Sequence, residues 1–289
     1  MTAVLFLGIA LFGGCNDTTT NPTRRTPLNG VTNLKAYSAG TNSVGLEWTA
    51  TSDTSTLDFL QHEIDVKFGS SSIISIAVPK LATSTTIAGL TEGAIYTFDV
   101  IVVASSNSQT YVNSNPTTIQ WAPARRSPPV KMFEIASPVD SAGLEFLPNT
   151  PHVLSARNTA TQQIIDVLLD TSSAGNIILR SGDQNPFLVG QGRHTKFSTE
   201  VSNSDGLDFG RDLPPALGTY TQSSVTIPST FVTSGVVFYA VSADNNYVRI
   251  LIQRNVSSLV VGSSPNRYIQ IQISYQNIPG VPFAKLDGH

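Results

Sequence analysis

Apolar residues recur at every second position in short runs along this chain, and the runs are separated by Gly, Asn, Asp, Ser and Pro. In Ser43-Val44-Gly45-Leu46-Glu47-Trp48 the side chains of Val44, Leu46 and Trp48 fall on one side, and Ser43, Gly45 and Glu47 on the other. That is the period of a strand with one face in a core and one in water. Before residue 123 the pattern predicts seven strands, at residues 31–37, 43–48, 62–68, 73–78, 84–87, 95–103 and 117–121. Seven short strands with turn residues between them predict a sandwich of two antiparallel sheets.

The alternation resumes beyond Pro129, at residues 164–169, 176–180, 195–198, 223–227, 235–241, 247–253 and 268–276. In the last of these, Ile269, Ile271 and Ile273 are expected to face a core and Gln270 and Gln272 to face out. Asp244-Asn245-Asn246 tolerates positive φ and marks a tight reversal. The expected fold class is all-β, an immunoglobulin-like sandwich followed by a second antiparallel β-rich domain.

Two stretches break the pattern. Residues 15–26 are Thr, Asn, Pro and Arg with almost nothing apolar, too little to offset the entropy of ordering, and are read as a flexible stalk. Residues 124–129, Ala-Arg-Arg-Ser-Pro-Pro, are read as a Pro-rich linker. The bodies are then residues 27–123 and 130–289, each of ordinary domain size. Arg24-Arg25 and Arg125-Arg126 sit beside prolines and are read as solvated linker charges.

Residues 1–14 form an apolar run closed by Gly13-Gly14, too short to span a bilayer, and are read as a cleaved signal. Leu11-Phe12-Gly13-Gly14-Cys15 resembles a bacterial lipobox, and Cys15 is the only cysteine. The resemblance implies diacylglycerol on the Cys15 thiol, a mature chain beginning there, and a lipid-anchored place in the cell envelope. Asn16 is compatible with sorting to the outer membrane. With no second cysteine there is no disulfide framework.

Composition narrows the chemistry. Charged residues make up 13% of the chain and the net charge is −3, with no Lys/Arg cluster to neutralise phosphates, so nucleic acid is not an expected partner. Asp166, Asp170, Asp183, Asp205, Asp208, Asp212 and Asp244 provide carboxylates but are read as turn residues, with Asp183, Asp205 and Asp244 directly beside Gly, Ser or Asn. No nucleophile elbow, His-Glu-x-x-His or phosphate loop occurs, and Asp208-Phe209-Gly210 stands without the rest of a kinase pattern. An enzyme is not expected.

Trp48, at the end of the second strand, and Gly89-Leu90-Thr91-Glu92-Gly93-Ala94-Ile95-Tyr96 resemble the fibronectin type III family over residues 27–123. Leu90 and Tyr96 then mark its tyrosine corner, and the resemblance implies a hydroxyl bonded to backbone upstream. The family serves as spacer, adhesion module and enzyme appendage, and the chain has no Arg-Gly-Asp. In the second body the order of segments resembles the HmuY-like haem-binding lipoproteins. Those segments are the strand ending in Asp166, Asn176-Ile177-Ile178-Leu179-Arg180-Ser181-Gly182-Asp183, Asp244-Asn245-Asn246-Tyr247-Val248-Arg249-Ile250, and Tyr275-Gln276-Asn277-Ile278-Pro279-Gly280.

That resemblance implies haem held by paired axial ligands. The side chains on offer are His152, Met132, His289 and His194, the last in the loop Gly190-Gln191-Gly192-Arg193 and the best placed to swing onto a metal. If the strands at 247–253 and 268–276 pair, then Tyr247, Arg249 and Gln253 share a face with Tyr268, Gln270 and Gln272. The result would be a polar aromatic platform for a sugar or an apolar ligand. The expected function is a non-catalytic envelope lipoprotein that displays a binding domain on a spacer, with haem as ligand. The alternative is a structural, adhesive or glycan-binding surface protein with no small ligand.

Overall fold

The structure is a computed structural model and describes residues 24–146, 150–172, 175–187, 190–203, 219–228 and 234–284. Residues 1–23 lie outside the described residues, and with them the leader, Cys15 and most of the stalk; so do His289, Asp205, Asp208 and Asp212. Among the described residues no helix is long and apolar enough to cross a membrane.

Among the described residues the regular secondary structure is nearly all strand. In the first body β1 (Thr26–Pro27) and β8 (Tyr111–Val112) form a short parallel pair where the chain enters. One antiparallel sheet holds β2 (Thr32–Gly40), β3 (Ser43–Thr49) and β6 (Ser84–Ala88), in that order. The other runs from β5 (Ser71–Pro79) through β4 (Phe59–Phe68) and β7 (Tyr96–Ala104) to β9 (Thr117–Trp121). Val44, Leu46 and Trp48 from one sheet meet Ile64, Val66, Phe98, Val100 and Val102 from the other in one core. The inward face therefore follows the alternation, with Glu47 left half-buried between two inward neighbours.

Two polar groups shape that core. Thr91 N–H donates to Tyr96 Oη at 3.0 Å, which ties the turn ahead of β7 to the strand it feeds. Gly93 takes the positive φ of 72° that this turn needs. His62 is wholly buried on β4, with its ring edge-on to Trp48 and Phe59 at 5.2 and 5.1 Å. Burial lowers its pKa, against a smaller raising effect of the Pro79 carbonyl, so the ring is neutral in the fold.

The second body is also two sheets. The larger contains β10 (Arg125–Arg126), β11 (Val130–Phe133), β16 (Lys196–Asn203), β17 (Tyr220–Gln222), β19 (Val236–Val241), β20 (Tyr247–Gln253) and β21 (Tyr268–Tyr275). Its order is β10-β21-β20-β19-β16-β17, with β11 also on β21. The smaller runs β13 (His152–Leu154), β12 (Gly143–Glu145), β14 (Val167–Thr171), β15 (Ile177–Ser181), β18 (Ser224–Ile227). Leu144, Val167, Leu169 and Leu179 from the smaller sheet pack on Phe238, Ile250, Ile252 and Ile271 from the larger. The strand expected at 164–169 begins only at Val167. Asn158 caps a short helix, Thr159–Gln162, by accepting from Ala160 N–H, and the chain leaves it through Ile164 and Ile165.

The segment read as a linker is part of the sheet. Arg125 and Arg126 pair with Tyr275 and Ser274 of β21, and Ser127 exchanges bonds with Ile273 through both backbone and hydroxyl. Prolines bound this stretch, where no donor is needed, while Arg125 to Ser127 lie along an otherwise open edge and Ala124 N–H donates to Ser38 Oγ of the first body at 2.9 Å. Arg125 is not a solvated charge: its Nε stands 2.6 and 2.8 Å from the two carboxylate oxygens of Glu92 in the first body. Nor does Gln272 face out, since the segment lies over it and its amide donates to Ser127 O at 2.9 Å.

The junction is closed by the chain's last described turn. Gln276 Nε2 donates both to Pro123 O at 3.2 Å and to Phe283 O at 2.9 Å. Phe283 joins the first body's core, its ring 5.0 Å from that of Trp121. Ile278 fills the space where a Cβ on Gly93 would stand, 2.0 Å from its Cγ1.

Candidate functional site

One cluster of charged groups in the second body lies where three returning segments meet. Residues 190–195 cross over the end of β15. Arg193 N–H donates to Ile165 O, Asp183 N–H to Arg193 O, and Thr195 N–H to Ser181 Oγ, all between 2.8 and 3.2 Å. The crossing is close enough that a Cβ on Gly182 would lie 1.8 Å from Ile165 O and one on Gly192 2.1 Å from Gly182 O. Only glycine fits at either place.

This crossing aims Arg193 at two carboxylates. Its Nε is 2.9 Å from Asp166 Oδ1, and its Nη2 meets Asp244 in the β19–β20 turn. Asp166 is almost wholly buried and takes a bond from Phe146 N–H at 2.6 Å through its other oxygen. Burial pushes its pKa up to about 6, outweighing the lowering by Phe146 N–H and Arg193, while Glu145 adds a smaller upward push. Tyr275 nearby is pushed up to about 12, first by burial and then by the charge of Asp166. The turn that carries Asp244 also holds the junction, because Asn245 O accepts from Gly280 N–H and Asn246 Nδ2 donates to Gln276 O. The cluster is a fastening between the smaller sheet, the β19–β20 turn and the closing segment.

His194 stands on this loop with its side chain 54% exposed and Nδ1 2.7 Å from Asp183 Oδ2. His152 is exposed 3.6 Å from Glu145, on the opposite edge of the smaller sheet from β18. Met132 lies in the core at 0% exposure. The structure does not bring these three together, and among the described residues no three His, Cys, Asp or Glu side chains converge as a metal set. Among the described residues His152, His194 and Met132 do not form a pair fit for axial ligation of haem, and His289 lies outside them.

The proposed platform is corrected in part. β20 and β21 are neighbours, with Arg249 opposite Ser274 and Gln253 opposite Gln270, so the expected side chains do share a face. That face is covered at one end. Tyr247 is 3% exposed and Arg249 0%, the latter with its guanidinium 5.1 Å over the Tyr239 ring. Tyr247 packs edge-on to Tyr220, whereas Tyr268 and Gln270 are half-buried beside Phe133 and Lys131. The signal lay in the adjoining strand. Val236-Val237-Phe238-Tyr239-Ala240-Val241 is apolar throughout, the mark of a strand buried on both faces.

In the first body Trp48 is 5% exposed against His62, and Leu90 is buried beneath the Tyr96 corner. Two open hollows, of about 380 and 540 Å³, flank the entering chain, beside Arg25 and Tyr111 and beside Asn29 and Thr117.

No family model matches the chain, and no characterised relative does. Solved structures resemble part of it. The fn3 domain of the human collagen alpha-1(XX) chain is 18% identical over 36% of this chain and 92% of its own, with a TM-score of 0.29. Domains d3-d4 of the rat CD45 extracellular region are 14% identical over 34% of this chain and 51% of theirs, also at 0.29. A myokine is 16% identical over 34% of this chain and 99% of its own, at 0.27. These likenesses concern the fold alone.

Proposed function

We propose that this protein is a lipid-tethered, non-catalytic component of a bacterial envelope, built as a pedestal and a head. The first body, fibronectin type III-like, is the pedestal, and the second presents a surface to another macromolecule outside the cell. The observation that carries this reading is the placement of the two attachments. The chain enters the first body at the end bearing β1, β8 and the 105–110 loop, while the second body is fastened through Glu92, Gly93 and Trp121 at the end bearing the tyrosine corner. A body fixed at both ends transmits orientation, which a display protein uses.

Haem capture is not the reading the residues favour, since His152, His194 and Met132 stand apart in the fold. A HmuY-like ancestry would then concern fold only. The test is expression with the leader in a Gram-negative host fed alkyne-palmitate. Label is expected in the outer-membrane fraction of the parent and absent from a Cys15→Ser variant; an unlabelled, soluble parent would overturn the tether. A haemin titration of the same protein is expected to give no saturating Soret band.

A further inference from the structure

At the end where the chain enters, four segments are fastened together. Thr26 N–H donates to Thr110 O at 2.9 Å, Asn29 N–H to Asp53 Oδ2 at 2.6 Å, and Ser105 N–H to Asp58 O at 2.7 Å. Lys80 Nζ donates to Thr56 O at 3.1 Å, which brings in the turn after β5. On these adjoining turns stand Leu57 at 96% exposure, Leu81 at 78% and Leu60 at 57%, while Phe59 between the first and last turns inward. One exposed leucine is ordinary, but three on one end, all spared by a core that had Phe59 to fill it, mark a contact surface. Arg24 and Arg25 are exposed at the same end.

The length of chain before this end says what it faces. From Cys15 to Arg24 is nine residues, which fully extended reach at most about 30 Å. The other end of the body is occupied by the second body. We propose that the entry end of the first body is a membrane-contacting face, in which Leu57, Leu60 and Leu81 enter the headgroup boundary of a bilayer with Arg24 and Arg25 at the phosphates. This rests on the Cys15 tether of the preceding section. The leucines add their own affinity to that of the acyl chains and set the angle, standing the pedestal on its end with the head directed away.

Vesicles of phosphatidylethanolamine and phosphatidylglycerol test it on residues 16–289, which without Cys15 carry neither lipid nor cysteine. An environment-sensitive dye is placed at Leu81→Cys or, as a control on the same sheet's far end, at Ile73→Cys. Emission at 81 is expected to shift to the blue with lipid while emission at 73 does not. Replacing Leu57, Leu60 and Leu81 by Ser is expected to lower vesicle partitioning about tenfold or more, with tryptophan fluorescence confirming the fold. No shift at 81, or equal shifts at both sites, would overturn the proposal. A chain whose dye at 81 shifts but which takes up no palmitate fails only the tether; an acylated chain whose position 81 stays in water fails only this face.

Discussion

Asp166 holds its proton more tightly in the fold than in the unfolded chain, because burial raises its pKa from 3.8 to about 6. The sign follows directly. Its contribution to stability is full below the unfolded value and is lost as pH rises through about 6, a change of about 3 kcal/mol. Asp166→Asn is therefore expected to gain on the parent in thermal unfolding between pH 4 and 6.5, with the difference level above that. A constant difference across the range would mean that the carboxyl is not buried as described. Nothing near Asp166 in the sequence announces this, since its partners Arg193 and Phe146 come from two other segments and Asp244, which shares Arg193 with it, from a third. The Tyr96 corner was legible because Leu90, Gly93 and Tyr96 lie within one turn and a strand start.

At the level of elements, the alternation located every long strand of the first body, with ends shifted by a few residues. It missed β12 and β13, which are three residues each and too short to show a period. It also missed β10, where Arg-Arg between prolines has no apolar signal at all and pairs only because β21 offers an edge. The crossing of 190–195 over β15 is the element most exposed to a single change. Gly192→Ala is expected to cost about 2–3 kcal/mol in urea unfolding, because the new methyl meets the Gly182 carbonyl rather than a side chain that can move. Gly190→Ala would meet no atom within 4 Å and differs chiefly in its positive φ of 79°, so it serves as the comparison that separates crowding from backbone conformation. Unfolding midpoints that fall equally for both would rule out the contact as the cause.

Across the whole molecule the two bodies share one piece of core. Both tryptophans, Trp48 and Trp121, belong to the first body, so tryptophan fluorescence reports on that body alone. Phe283→Ala is expected to lower the unfolding free energy read by tryptophan fluorescence by about 3 kcal/mol, and the midpoint with it, although the substitution lies beyond the second body's last strand. An unchanged midpoint would show that the bodies unfold independently. The sequence suggested separation here because the prolines around residue 125 look like punctuation, and the bonds that bridge them come from residue 276 and beyond. Pro123 and Gln276 are 153 residues apart in the chain. During synthesis, which runs from the N-terminus, the first body emerges with the indole of Trp121 lacking its cover and waits for the tail to arrive. A chain cut short before Phe283 would leave that seam open, and proteases would read it as unfinished.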